Sequence, residues 1–204
     1  MEIEQKFRVD DPRIFDALRE LQILGDYALQ AEPAPEQQRN IYFDTPDGRL
    51  RAAQYGLRIR ELEGRRIVTL KGPGAVHDGR HEREEYEVEI GDDDRPTSWP
   101  ASPARDRTLA LIGDQPLAPL LTVTTTRHHI IASLAGTNIA ELSLDHGSIQ
   151  AAGRSLPFRE LEIELLEAGT TTDLDTLCTE LVARFSLVPD DRSKLARGLE
   201  LLGL

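Results

Sequence analysis

The sequence predicts an α+β fold, in which eight or so antiparallel strands can close into a barrel with flanking α-helices. Two patterns carry this prediction. Charged and apolar residues alternate with a period of two in segment after segment between Glu2 and Leu166, as strands with two unlike faces require. Apolar residues also recur at near-helical spacing near the start (Ile14, Phe15, Leu18, Leu21, Ile23) and over 174–186, which adds helices outside the sheet.

Taken in order, Glu2, Glu4 and Lys6 share one face of the first strand, while Ile3, Gln5 and Phe7 share the other. Asp10 or Asp11 can cap the first helix, with Pro12 in its first turn and Gly25 at its end. Residues 31–37 read as a connector, Arg39 to Phe43 as a strand, and Asp44-Thr45-Pro46-Asp47-Gly48 as a turn. A helical turn at 49–54 leads into a strand carrying Arg58 and Arg60 on one face. The next strand, Arg66 to Lys71, presents Thr69 and Lys71, and Gly72-Pro73-Gly74 ends it in a loop over 75–80. Residues 81–90 form a strand with Arg83, Glu85 and Glu87 on one face and Tyr86, Val88 and Ile90 on the other.

The acidic, Pro-rich stretch 91–104 around Trp99 reads as a linker into a helix near 104–113. Strands follow at 120–132, with Thr125 and Arg127 on one face, and at 138–145, with Glu141, Ser143 and Asp145. Asp145-His146-Gly147-Ser148 reads as a hairpin turn. The last strand, Phe158 to Leu166, alternates Glu160, Glu162 and Glu164 with Leu161, Ile163 and Leu165. Thr172 or Asp173 caps a final helix over 174–186, and the tail carries Ser193-Lys194 and Arg197-Gly198.

Residue totals bound the function classes. At 204 residues the chain suits one domain, read as 1–204. A net charge of −12 argues against a nucleic-acid or anionic-membrane surface, but not against a local cluster of Arg and Lys. Cys178 is the one cysteine, which excludes an intramolecular disulfide and a cysteine-built zinc site, and its apolar neighbours mark a structural thiol. No signal peptide or membrane span is evident, so the chain reads as soluble and cytoplasmic.

The charged strand faces hold Glu2, Glu4, Glu85, Glu87, Glu141, Asp145, Glu160, Glu162 and Glu164, together with Lys6, Arg58, Arg60, Lys71, Arg83 and Arg127. Facing outward, they would cover a sandwich; facing inward, they would line a polar tunnel. Alternation alone permits both. The tunnel is favoured by arginines two apart, which suit several oxygens of one anion. It is also favoured by Glu-x-Glu pairs, which suit a hard divalent cation.

The motifs Glu2-Ile3-Glu4-Gln5-Lys6, Tyr42-Phe43-Asp44-Thr45, Leu57-Arg58-Ile59-Arg60, Thr69-Leu70-Lys71, Arg83-Glu84-Glu85-Tyr86-Glu87, Arg127, Leu144-Asp145-His146-Gly147, Glu160-Leu161-Glu162-Ile163-Glu164 and Ser193-Lys194 with Arg197-Gly198 run in order along the chain. In that order they resemble the CYTH domains, or triphosphate tunnel metalloenzymes, and more closely their bacterial inorganic triphosphatase branch. The resemblance implies an eight-stranded barrel whose tunnel takes a small-molecule triphosphate with Mg²⁺ or Mn²⁺. It implies phosphate binding by Lys6, Arg58, Arg60, Lys71, Arg83, Arg127 and Lys194. Glu2, Glu4, Glu162 and Glu164 become the leading metal ligands, with Glu85, Glu87, Asp145 and Glu160 beside them. The chemistry implied is metal-assisted hydrolysis of tripolyphosphate, with Glu2, Glu4, Lys6, Arg58, Arg60 and Lys71 at its centre. The same tunnel also suits an adenylyl cyclase, a thiamine triphosphatase or a non-catalytic polyphosphate or nucleotide binder. No base-binding pocket is evident in the sequence, and none of the five histidines has ligand-like spacing.

Overall fold

The computed structural model describes residues 2–204. Strand β1 (Glu2–Arg8) leads to helix α1 (Arg13–Glu20) and the short hairpin β2 (Ile23–Leu24) and β3 (Tyr27–Ala31). Next come β4 (Glu36–Asp44), α2 (Arg49–Ala52), β5 (Gly56–Leu62), β6 (Arg65–His77) and β7 (Arg80–Ile90). A 3-10 turn (Pro96–Ser98) and α3 (Pro103–Ile112) precede β8 (Ala118–Leu134), β9 (Thr137–Ala151) and β10 (Arg154–Leu165). The chain finishes with α4 (Thr171–Arg184), β11 (Val188–Pro189) and α5 (Lys194–Leu202).

Eight strands close on themselves in the order β8-β4-β5-β6-β7-β1-β10-β9, and β9 pairs back onto β8, every pairing being antiparallel. Closure leaves no free edge in the barrel. Strand alternation then fixes which residues face in. Glu4 lies opposite Glu164, Lys6 opposite Glu162, Arg58 opposite Thr69, and Arg127 opposite Asp145.

The apolar faces point outward and are covered by helices. Phe15 and Leu18 of α1 and Leu174, Leu177 and Leu181 of α4 pack on Phe7, Leu144, Leu161 and Ile163. Beside α3, Trp99 (3% exposed) and Ile112 join Leu57, Ile59, Val68 and Leu70 in a second cluster. Trp99 is therefore a core anchor. Helix α5 behaves differently, because it packs against Leu121, Ile149 and Phe158, which share the inward phase of Arg127, Asp145 and Glu160. It stoppers one end of the barrel. No helix among the described residues is long and apolar enough to cross a membrane.

Several local expectations are corrected. Helix α1 stops at Glu20, because Leu21 is already extended; Ile23 enters β2 at 63% exposure, and Gly25 (φ +58°) serves the β2–β3 hairpin. The connector is shorter than 31–37, since Glu36 and Gln37 already pair with β8. Residues 75–77 and 80 continue β6 and β7, with the turn confined to Asp78 and Gly79. Asp145–Ser148 is not a turn: β9 runs through it to Ala151, and the reversal lies at Ala152 and Gly153. Helix α4 is capped by Thr170, with Asp173 returning the bond in a capping box. It is not the final helix, because α5 follows with Ser193 as its cap.

Candidate active site

The barrel encloses a cavity of about 560 Å³. Strand alternation brings Glu2, Glu4, Lys6, Arg58, Arg60, Lys71, Arg83, Glu85, Glu87, Arg127, Glu162 and Glu164 to its wall, and α5 adds Lys194. Asp145 and Glu160 do not reach the wall. They are buried behind it, holding the basic residues.

Around Lys194 the charges are matched. Its Nζ lies 2.9 Å from Asp145 and 3.0 Å from Glu162, and it also pairs with Glu160, which pairs in turn with Arg197. Arg127 grips Asp145 in two bonds of 2.7 Å and reaches Glu162 at 2.7 Å. Lys6 lies 3.1 Å from Glu162 and 3.6 Å from Glu4. Burial opposes the charged forms, but these partners prevail: Glu162 and Asp145 stay well ionised, and Lys194 is held protonated. Carboxylate oxygens of Asp145, Glu160 and Glu162 lie within 4.8 Å of one another, as metal ligands would. The Lys194 ammonium already lies against all three, so this cluster is a poor fit for a cation.

Elsewhere in the cavity some groups pair, as Arg83 does with Glu2 and Glu4, but others are left unmatched, in two opposite senses. Arg58 and Arg60 have no carboxylate within ion-pair distance among the described residues. Arg58 keeps a buried Nε without a partner, and Arg60 has only a 3.4 Å contact to Asn40. The charge of Arg58, with burial, pulls the Arg60 guanidinium down to about 10. Across the tunnel, burial and the neighbouring Glu2, Glu4 and Glu85 push the Glu164 carboxyl up to about 7. Burial and Glu2 likewise raise Glu85, despite Lys71 at 3.3 Å. Glu2 itself is desolvated, yet Lys71 and Arg83, at 2.5 and 2.9 Å, draw it down to about 2. Carboxylate oxygens in excess of their local cations are a donor set that suits Mg²⁺ or Mn²⁺.

Three features escaped the sequence reading. Glu36 and His129 join Glu141, already read on a charged strand face, at one end of the cavity, His129 lying 2.7 Å from Glu141 and 3.7 Å from Glu36. That contact raises the His129 pKa. Running the phase of Asn40 and Gln38 back along β4 reaches Glu36, a signal hidden by the connector assignment. The Tyr42 ring lies inside, and its phenol is drawn to lower pKa against burial by Arg58, Lys194 and Lys71. At the other end, Tyr55, Leu120, Leu195 and Leu199 make an apolar rim, although no motif marks a pocket for an organic group there.

Known proteins share this architecture. A family model for the CYTH domain matches residues 1–198. An inorganic triphosphatase of Haemophilus influenzae is 31% identical over 162 residues, covering 78% of this chain and 44% of that protein. An uncharacterized Mycobacterium tuberculosis protein is 29% identical over 218 residues, covering 98% of this chain and 40% of its own length. The chain thus spans less than half the length of these curated relatives. Among solved structures, a Hippeastrum protein described as having a dominant triphosphatase activity has a TM-score of 0.76 at 22% identity, covering 98% of this chain and 96% of its own. A Bacillus halodurans protein described as a candidate adenylate cyclase has a TM-score of 0.66 at 26% identity, covering 97% and 96%. With the motifs in order, the barrel closed around them and the family match running almost end to end, this chain belongs to the CYTH domain family.

Proposed function

We propose that residues 1–204 act as one unit, a divalent-metal-dependent triphosphatase that hydrolyses inorganic tripolyphosphate, and nucleoside triphosphates more weakly, inside the barrel. One observation carries this reading. Among the described residues, the same cavity holds two guanidiniums with no acid at ion-pair distance and a carboxyl group with no cation at ion-pair distance. A polyanion travelling with a metal ion satisfies both at once.

In this reading Arg58 and Arg60 take the oxygens of adjacent phosphoryl groups, and Lys6, Lys71, Arg83, Arg127 and Lys194 extend the positive wall. Glu2, Glu4 and Glu164 would hold Mg²⁺ or Mn²⁺, with Glu85 beside them. Such a cation, when bound, neutralises phosphoryl charge and acidifies a water. The guanidiniums oppose the negative charge that develops on the transferred phosphoryl group, and the enclosed barrel limits competing solvent. Glu162, Asp145 and Glu160 keep Lys194, Arg127 and Lys6 charged and aimed.

A second reading, conversion of ATP to cyclic AMP, is favoured by the apolar rim of Tyr55, Leu120, Leu195 and Leu199, which would suit a base. Product analysis separates the two. Free phosphate from ATP supports hydrolysis, and cyclic AMP with pyrophosphate supports cyclisation. Binding has its own test. Tripolyphosphate with Mg²⁺ is expected to raise the melting temperature of the parent chain and not that of Arg58→Ala. Turnover of Arg58→Ala should fall by roughly 10²–10³. An undiminished melting shift in that variant would sink the assignment.

A further inference from the structure

Helix α5 sends Lys194 into the tunnel from outside the barrel sheet. Something must hold its first turn in place. The preceding strap, from β11 to Ser193, is short and mostly exposed, with no apolar anchor beyond β11. Its attachment is polar and converges on one point. Strand β11 pairs with Phe7 and Arg8 of β1, and the Asp190 amide then donates to the Lys6 carbonyl at 3.1 Å. The Gly79 amide, at the tip of the β6–β7 hairpin, donates to Asp191 Oδ1 at 2.6 Å. The same hairpin tip is tied to β1, because the Lys6 backbone amide donates to the Gly79 carbonyl at 2.8 Å and Gln5 Nε2 to the Asp78 carbonyl at 2.7 Å. Gly79 has φ +80°, and a Cβ there would lie 2.5 Å from the Lys6 carbonyl oxygen. The close approach of hairpin, strand and strap depends on that glycine. Beneath the knot lies His81, 2% exposed, with Nε2 3.4 Å from the Asp190 carbonyl.

We propose that Asp191 is a positioning residue, whose carboxylate latches the strap to the hairpin tip and so sets Lys194 in the tunnel. The role assigned to Lys194 rests on the triphosphate reading above, whereas the latch itself does not. Asp191 stands only three positions before Lys194, a reach of at most about 11 Å. The Ser193 side chain accepts from the Ala196 amide at 3.1 Å and starts the helix directly after the strap. Freedom at Asp191 therefore reaches the first turn of α5 with little chain in between to absorb it, leaving the ion pairs to Asp145, Glu160 and Glu162 as the remaining restraint on Lys194. Asp191 is exposed and contributes little apolar burial, so its removal leaves the cores intact. A carboxylate on a backbone amide is a strong, directional contact, and an asparagine oxygen can still accept there.

The test compares Asp191→Ala and Asp191→Asn with the parent in the full 204-residue chain. Amide hydrogen exchange is followed across Lys194–Leu202 without ligand, and kcat and KM are measured on tripolyphosphate with Mg²⁺. Exchange in α5 is expected to quicken about tenfold in Asp191→Ala and to remain near the parent's in Asp191→Asn. KM should rise several-fold in the alanine variant with kcat little changed, and the asparagine variant should restore it. Unchanged α5 exchange in Asp191→Ala overturns the latch, as does equal damage from the two variants. Faster exchange with a parental KM overturns the positioning role. If the parent does not turn over tripolyphosphate, the functional reading falls alone, and the exchange comparison still decides the latch.

Discussion

Glu164 is the residue whose state most directly reports what the tunnel lacks. Burial and the neighbouring Glu2, Glu4 and Glu85 hold its carboxyl near 7, above the ordinary 4.5. The folded chain therefore keeps this proton when the unfolded chain has lost it. The resulting stability is fully present below about pH 4.5 and is lost as the pH rises through about 7. Without metal, the melting temperature should decline over that window, and Glu164→Gln should flatten this part of the decline. Stabilisation by Mg²⁺ should grow over the same window in the parent, because in the proposed function the ionised carboxylate is the ligand. A Mg²⁺ effect of equal size in Glu164→Gln would contradict the assignment. Arg58 and Arg60 are the complementary case, two half-buried cations left without acids among the described residues. Their presence on one strand face was legible from spacing alone. Their lack of partners was not, because cross-strand neighbours depend on register, and the sequence does not fix register.

At the scale of elements, what could be read depended on how cleanly burial follows hydrophobicity. The alternating stretches 2–7, 56–60, 81–90 and 158–165 are all found as strand, within β1, β5, β7 and β10, although β10 begins earlier, at Arg154. Strand β9 hid behind Asp-His-Gly-Ser, a set of residues that usually turns a chain. There Gly147 serves packing: a Cβ would sit 1.9 Å from the Thr124 carbonyl oxygen on the neighbouring strand. Gly147→Ala should accordingly destabilise the chain by about 3 kcal/mol or prevent folding, measurable by denaturant unfolding. A loss below about 0.5 kcal/mol would contradict the close strand approach. Helix α5 was missed for a related reason. Two of its buried residues, Lys194 and Arg197, are charged and matched by acids, and Gly198 packs against Leu121 and Ile149. Leu195, Leu199 and Leu202 do recur at helical spacing, but in a nine-residue helix whose most buried positions are ion-paired cations and a glycine that stripe is easily passed over.

Over the whole molecule, alternation established two unlike faces but left open which one was inside. The structure resolves this through the helices. Those of the outer clusters cover the apolar face, and the charged face closes around the cavity. An interior of this kind is costly to desolvate, and ion pairing alone does not balance it, since Arg58, Arg60 and Glu164 are left over. In the proposed function, this is an architecture organised for a charged ligand at the expense of its own stability. The measurement that tests this most directly is the initial rate of phosphate release by the purified chain from tripolyphosphate, ATP and thiamine triphosphate, each with Mg²⁺, Mn²⁺ or a chelator. Fast release from tripolyphosphate that stops with the chelator, and slower release from the organic triphosphates, is the predicted result. No release from any of them, or release that persists in the chelator, would contradict the account.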